Sequence, residues 1–159
     1  RESPSNFFRS SETLTVSIPA SVKTIVMGAF YGILLTDIEI PASVETIGNR
    51  AFSGNSLDKL TFEGAQLTYI GRKAFCLSSN CVELDLSPCT QLDTIVYWDL
   101  PGSVHTVWLG TFTPPTNGNE YFDMKYRIFS SPSNRTLMVP MEGSNSWWSM
   151  LGFGSIQYY

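Results

Sequence analysis

Ile18-Pro19-Ala20-Ser21-Val22 recurs as Ile40-Pro41-Ala42-Ser43-Val44, and the residues that follow each copy recur with it. Thr24-Ile25 is echoed by Thr46-Ile47, Tyr69-Ile70 and Thr94-Ile95, and Ala29-Phe30 by Ala51-Phe52 and Ala74-Phe75. Aligning Ile18, Ile40, Phe62, Leu86 and Leu109 makes five turns of one repeat visible, with nearly equal steps between them. A unit this short cannot enclose a core alone. Successive units must stack, and the period predicts a solenoid rather than a single globule.

Each unit has two halves. In Leu35-Thr36-Asp37-Ile38-Glu39-Ile40 the apolar residues Ile38 and Ile40 alternate with polar neighbours, the pattern of a short half-buried strand. The same frame gives Leu57/Leu60/Phe62, Cys81/Leu84/Leu86 and Val104/Val107/Leu109. Pro19 and Pro41 follow their strands at once, and proline lacks the N–H that a continuing ladder would use. The return half, such as Val44 to Phe52, is too short for a helix that stands alone. It reads as an extended piece with a tight turn or a single helical turn. Stacking then predicts internal columns of Phe30, Phe52 and Phe75, and of Ile25, Ile47, Ile70 and Ile95.

Composition agrees with strands and turns. The 159 residues carry 10 Lys+Arg against 14 Asp+Glu, a net charge of −4, with 15% charged and 13% aromatic residues. Long exposed helices need more Lys, Glu and Arg than this. A chain of such length buries roughly 70% of its unfolded surface, so it needs neither a disulfide nor a metal to fold. The absence of any Lys/Arg run argues against a nucleic-acid partner. No apolar run approaches the roughly 18 residues of a membrane span.

The phrase Ile-Pro-x-Ser-Val-x-x-Ile-(Gly)-x-x-Ala-Phe, followed by Leu-x-x-Leu-x-Phe/Ile, resembles the BspA-like class of leucine-rich repeat over roughly residues 8 to 112. Leu137-Met138-Val139-Pro140, with Gly143, Trp147 or Trp148, Phe153 and Ile156, is similar to the segment that closes many such arrays. The resemblance implies a β-rich leucine-rich-repeat solenoid: a short parallel strand ladder, irregular or short-helical return segments and a C-terminal cap. It divides the chain into an array over 1–112, of about five coils with the first partial, and a bridging segment with cap over 113–159. Trp147, Trp148, Leu151 and Phe153 would cover the last coil. It further implies a non-catalytic, adhesin-like recognition module of a secreted or cell-surface bacterial protein, with no cofactor and with a host or neighbouring-cell protein as partner. One departure is that Val96-Tyr97-Trp98-Asp99-Leu100 replaces Gly-x-x-Ala-Phe in the fourth return segment, which predicts a perturbed coil there. Phe8 stands one repeat before Phe30, so the chain is expected to begin inside a repeat, with further sequence upstream.

The outward residues of the strands are the candidate binding face. They are Thr15 and Ser17 in the first coil, then Asp37, Glu39, Lys59, Thr61, Glu83, Asp85, Thr106 and Trp108. Rungs about 4.8 Å apart place them in two columns, in which Lys59 would offset Asp37 and Glu83. The functional reading is a protein-recognition strip, acidic in the middle and ending at Trp108; the plainer one is a solvated face with cross-strand pairing. A glycan site using Trp108 and nearby tyrosines, or a structural stalk, are the alternatives.

Enzymatic chemistry is disfavoured. Asp37 and Glu83 lie two rungs apart with Lys59 between them, and a flat ladder has no enclosed sugar subsite. No calcium loop, nucleophile elbow or zinc motif occurs. His105, the sole histidine, has no nucleophile partner legible in the sequence. Cys81 takes an inward leucine position, and Cys76 is near enough in sequence to pair with it across Leu77-Ser78-Ser79-Asn80 in an exported protein; three cysteines would then leave one thiol free. Their spacing is wrong for a metal site.

Overall fold

The computed structural model describes residues 16–64, 66–76, 81–92, 94–95, 103–110, 136–139 and 155–158. Ten short strands follow one another: β1 (Thr24–Ile25), β2 (Asp37–Ile40), β3 (Thr46–Ile47), β4 (Lys59–Phe62), β5 (Tyr69–Ile70), β6 (Glu83–Leu86), β7 (Thr94–Ile95), β8 (Thr106–Leu109), β9 (Thr136–Val139) and β10 (Ser155–Tyr158). Every pairing is parallel. The chain is a β-solenoid, as the repeat predicts.

The strand frame read from alternation holds. β2, β4, β6 and β8 present buried residues at every second position: Ile38 and Ile40, Leu60 and Phe62, Leu84 and Leu86, Val107 and Leu109. In the first copy, Val16-Ser17-Ile18 is not a strand, although Val16 and Ile18 still pack on the core. That segment is the first of the described residues, and Pro19 follows it directly.

The return halves form a ladder of their own. β1, β3, β5 and β7 pair in register, Ile25 with Ile47, Ile47 with Ile70 and Ile70 with Ile95. Among the described residues no return segment is helical. Instead the three described return segments each make two successive, overlapping four-residue turns. Ala29, Ala51 and Ala74 N–H groups donate to Val26, Gly48 and Gly71 carbonyls, and Tyr31, Ser53 and Cys76 donate to Gly28, Arg50 and Lys73. The first residue of the second turn is left-handed in each of the three described coils, with φ of 66° at Gly28, 54° at Arg50 and 55° at Lys73. A left-handed residue stops helix propagation, so the short-helical option for these segments is excluded. Alternate N–H groups then cross to the next coil: Phe30 donates to Ala51 O and Phe52 to Ala74 O, both at 2.8 Å.

Stacking brings backbones so close that glycine becomes obligatory at Gly48, Gly71 and Gly110. A Cβ on Gly48 would lie 2.6 Å from Met27 N, and one on Gly71 would lie 2.7 Å from Asn49 N. The Gly of the repeat phrase is therefore a spacing device. Between the ladders the apolar columns close the core. Phe30, Phe52 and Phe75 stack with centroids 5.1 and 5.3 Å apart and ring planes within 9° and 5°. Phe52 and Phe75, fully buried, each bring roughly 1.5–3 kcal/mol of burial, and the partly buried Phe30 less.

One polar group sits among these columns. Asn55 is buried; its Oδ1 accepts from Leu35 N at 3.1 Å, and its Nδ2 donates to Phe30 O at 2.7 Å and Phe52 O at 2.8 Å. It pins the turn of the first coil to that of the second. Asn55→Ala should destabilise the fold by about 2–4 kcal/mol, because each buried group left unpaired costs about 1–3 kcal/mol. Ser56→Ala, at the exposed neighbour, should stay within about 0.5 kcal/mol. Urea denaturation of both variants checks this, and equal effects would contradict the role given to Asn55.

Candidate functional site

All eight candidate residues stand on the outer side of the strand ladder. Asp37, Glu39, Lys59, Glu83 and Asp85 are exposed, and Thr61, Thr106 and Trp108 are half-buried. The register sets Asp37 beside Lys59 and Glu39 beside Thr61, then Glu83 beside Thr106 and Asp85 beside Trp108. Thr15 lies outside the described residues.

The ladder is not continuous. β2 and β4 form one sheet, and β6, β8, β9 and β10 another. In the regular part the residue after a strand donates backward, as Glu63 N does to Ile40 O at 2.9 Å. One coil later that residue is Ser87, and its N–H goes to Asp85 Oδ1 at 2.8 Å, with the Ser87 hydroxyl donating to the same oxygen at 2.6 Å. The seam falls where the repeat lengthens, since the step from Phe62 to Leu86 exceeds that from Ile40 to Phe62. The expected offset of two carboxylates by Lys59 does not form. Among the described residues no ion pair joins Lys59 to Asp37 or Glu83, and Asp37 accepts instead from Thr36 Oγ1 at 2.9 Å. Side-by-side lysine and carboxylate on an exposed ladder gain little from closing.

Beyond the seam the face is longer than the repeat phrase suggests. β9 pairs with β8, and β10 with β9, so the first column runs Glu83, Thr106, Thr136, Ser155 and the second Asp85, Trp108, Met138, Gln157. Thr136 Oγ1 and Ser155 Oγ are 2.8 Å apart. Thr136, Met138, Ser155 and Gln157 were not expected on this face. Their one sequence signal is Val139-Pro140, which repeats the strand-then-proline junction of Ile18-Pro19 and Ile40-Pro41. Trp108 is half-buried, between Asp85 and Met138 in the ladder. Tyr97, Trp98, Trp147, Trp148, Leu151, Phe153 and the boundary at 112/113 lie outside the described residues.

A profile of the BspA type leucine rich repeat region matches residues 2–99 in six copies. The chain belongs to this family. The six copies of the BspA-type repeat reach further upstream than the five turns visible by eye and stop short of β8, so β8, β9 and β10 carry the ladder past the matched region. Leucine-rich repeat membership points to a protein-interaction module, on a scaffold that is typically non-enzymatic and in a family generally associated with bacterial surface or secreted proteins. No curated protein sequence matches the chain. Among the described residues no helix is long and apolar enough to cross a membrane, and no cluster of His, Cys, Asp and Glu is placed to hold a metal ion.

The cysteines are free thiols, Cys81 and Cys89 buried and Cys76 half-buried. The turn 77–80 across which Cys76 and Cys81 were expected to meet lies outside the described residues. Burial raises the Cys89 pKa to about 12, with the Asp85 charge adding to it. Cys81 is raised by burial, and its thiol donates to Glu83 O at 3.0 Å. Neither buried thiol is a thiolate at neutral pH, so neither is a nucleophile.

A thiol whose pKa is higher folded than unfolded favours the folded state below the unfolded value and loses that contribution as pH rises toward the folded one. Stability of the wild type should therefore fall between pH 9.0 and about 12 more steeply than that of Cys89→Ala. Denaturant melts at pH 8, 9, 10 and 11 compare the slopes, and parallel slopes would remove Cys89 from the account.

Proposed function

We propose that this chain is a non-catalytic, adhesin-like protein-recognition module of a secreted or surface-exposed bacterial protein, and that it binds through the outer strand face. The observation that carries the reading is the division of labour along each strand. Inward positions are committed to the core columns, while the outward positions vary in charge and shape from rung to rung. Four carboxylates and one lysine, Asp37, Glu39, Glu83 and Asp85 with Lys59, make the first half of the strip acidic. The second half, Thr106, Trp108, Thr136, Met138, Ser155 and Gln157, carries no charge. A partner complementary to it is cationic at one end and apolar or hydrogen-bonding at the other. Flatness favours a protein surface over a small ligand, which needs a concave pocket.

Reversing Asp37, Glu39 and Glu83 to Lys together should weaken binding to host-surface and extracellular proteins at least ~10-fold, since it sets three like charges against a cationic partner surface. The melting temperature should not change, because all three side chains are exposed. Surface plasmon resonance against a protein panel, run beside a glycan array, makes the comparison. Binding that survives the triple reversal would move the site off this face, and binding confined to glycans would replace the protein-partner reading.

A further inference from the structure

At the break between β4 and β6, one strand caps itself. Elsewhere on the strand side each rung donates backward in one pattern: Lys59 N to Thr36 O at 3.2 Å and Glu63 N to Ile40 O at 2.9 Å. Beyond the break the pattern resumes, with Thr106 N to Val82 O at 3.4 Å and Thr136 N to His105 O at 2.8 Å. Carried across the break, this parallel arrangement would send Ser87 N to Phe62 O and Leu60 N to Glu83 O. Among the described residues neither bond forms, and no backbone hydrogen bond joins β4 to β6. β6 satisfies both of its groups from its own chain instead. The Asp85 carboxylate takes Ser87 N–H at 2.8 Å, and the Cys81 thiol donates to Glu83 O at 3.0 Å.

The coils before the break have no such caps. Where β6 is preceded by Cys81, β2 and β4 are preceded by Leu35 and Leu57, which carry no donor; where β6 has Asp85, they have Glu39 and Thr61. β6 is thus finished chemically as an edge strand although it lies inside the array. Its other side is packed tightly, since a Cβ on Gly110 would lie 2.6 Å from Ser87 O. Across the break the close contact is made by a side chain, Cys89 Sγ, which would lie 2.5 Å from a Cβ on Gly64. The return side stays joined, Tyr69 with Thr94 and Ile70 with Ile95.

We propose that this break is a hinge, and that the array consists of two rigid leaves that open and close on the strand side about the return ladder. One leaf carries Asp37, Glu39, Lys59 and Thr61, the other Glu83, Asp85, Thr106 and Trp108. Opening breaks no backbone hydrogen bond of β6, because Ser87 N–H and Glu83 O keep their caps. It bends only the short pairing of β5 with β7. The angle between the leaves then sets the curvature of the strand face.

Double electron–electron resonance on the free chain tests the hinge. The background is Cys76→Ser, serine being the residue at the equivalent turn position 53, and Cys81 and Cys89 are buried from the label. Spin labels on Lys59→Cys and Glu83→Cys read across the break, and on Asp37→Cys and Lys59→Cys they read within one leaf; all three positions are exposed. The pair across the break should give a distance distribution at least ~2-fold broader than the pair within the leaf, as a hinge between rigid bodies requires. Asp85→Ala, which frees Ser87 N–H to take Phe62 O, should narrow it toward the within-leaf width. Amide exchange at Leu60 and Phe62 should also run at least ~10-fold faster than at Ile38 and Ile40, which face a paired strand. Equal widths for the two labelled pairs would overturn the proposal whatever the exchange rates, since a fixed gap also exposes amides. So would a broad distribution that Asp85→Ala leaves unchanged, or equal protection of the four amides. None of these readouts involves a binding partner, so the hinge and the recognition reading stand or fail separately.

Discussion

The backbone of each coil passes within hydrogen-bonding distance of the next, and that approach governs the rest of the molecule. Parallel rungs separated by about 4.8 Å leave room for one layer of side chains per coil. Like must therefore stack on like. Phe52 lies between Phe30 and Phe75 at 5.1 and 5.3 Å because the ladder spacing leaves flat rings few other arrangements. Where the turn brings main chain onto main chain, the side chain has to vanish, and Gly48 and Gly71 stand there. Where a buried amide and two carbonyls of adjacent coils would otherwise lack partners, Asn55 supplies all three hydrogen bonds. A substitution inside a column disturbs its own coil and the coils on either side, since stability in such arrays is close to a sum of nearest-neighbour terms.

The same approach fails at one place on the strand side. Between β4 and β6 the ladder breaks, while β5 and β7 on the return side remain paired. The longer third coil changes the relation of the two strands, and Asp85 closes the gap locally by accepting from both the N–H and the hydroxyl of Ser87. Asp85 thus differs from the other strand-face carboxylates. It is held by its own turn, whereas Glu39 and Glu83 project from strands whose alternation sends them outward.

Most of this was legible in the residues, for a physical reason. Alternation with period two marks the strand face directly, so Asp37 to Ile40 and its equivalents could be placed residue by residue, and the Phe and Ile columns followed from the repeat. β9 and β10 were less legible because they fall out of step. The interval from Leu109 to Val139 is longer than the repeat and that from Val139 to Tyr158 is shorter, which hides both from a search at one period. The left-handed turns were hidden too. Only Gly28 advertises a positive φ, and Arg50 and Lys73 adopt it because stacking on the neighbouring coil imposes the same turn. The seam depends on which acceptor Ser87 N finds, a contest between a carbonyl and a carboxylate that no periodicity records.

Charge follows the same geometry. Arg50, Arg72 and Lys73 fall on the turn edge, and Asp37, Glu39, Glu83 and Asp85 on the strand face with Lys59 as its one cation, so the two sides differ in the charge that predominates. In a globule such segregation would need explaining by long-range folding constraints. Here it needs none, because a residue's place within the repeat fixes its side of the solenoid, and substitution at an outward strand position touches neither the turns nor the columns. Lys23 shows the point in small. It pairs with Glu45, its equivalent on the second coil, at 2.9 Å and donates to Gln66, two positions before the equivalent on the third, at 3.0 Å. With both members of that ion pair exposed, the contact adds little stability. What it records is stacking: Lys23 and Glu45 stand in register on adjacent coils, and recognition by the outer surface of such a ladder is read as a column rather than as a scattered patch.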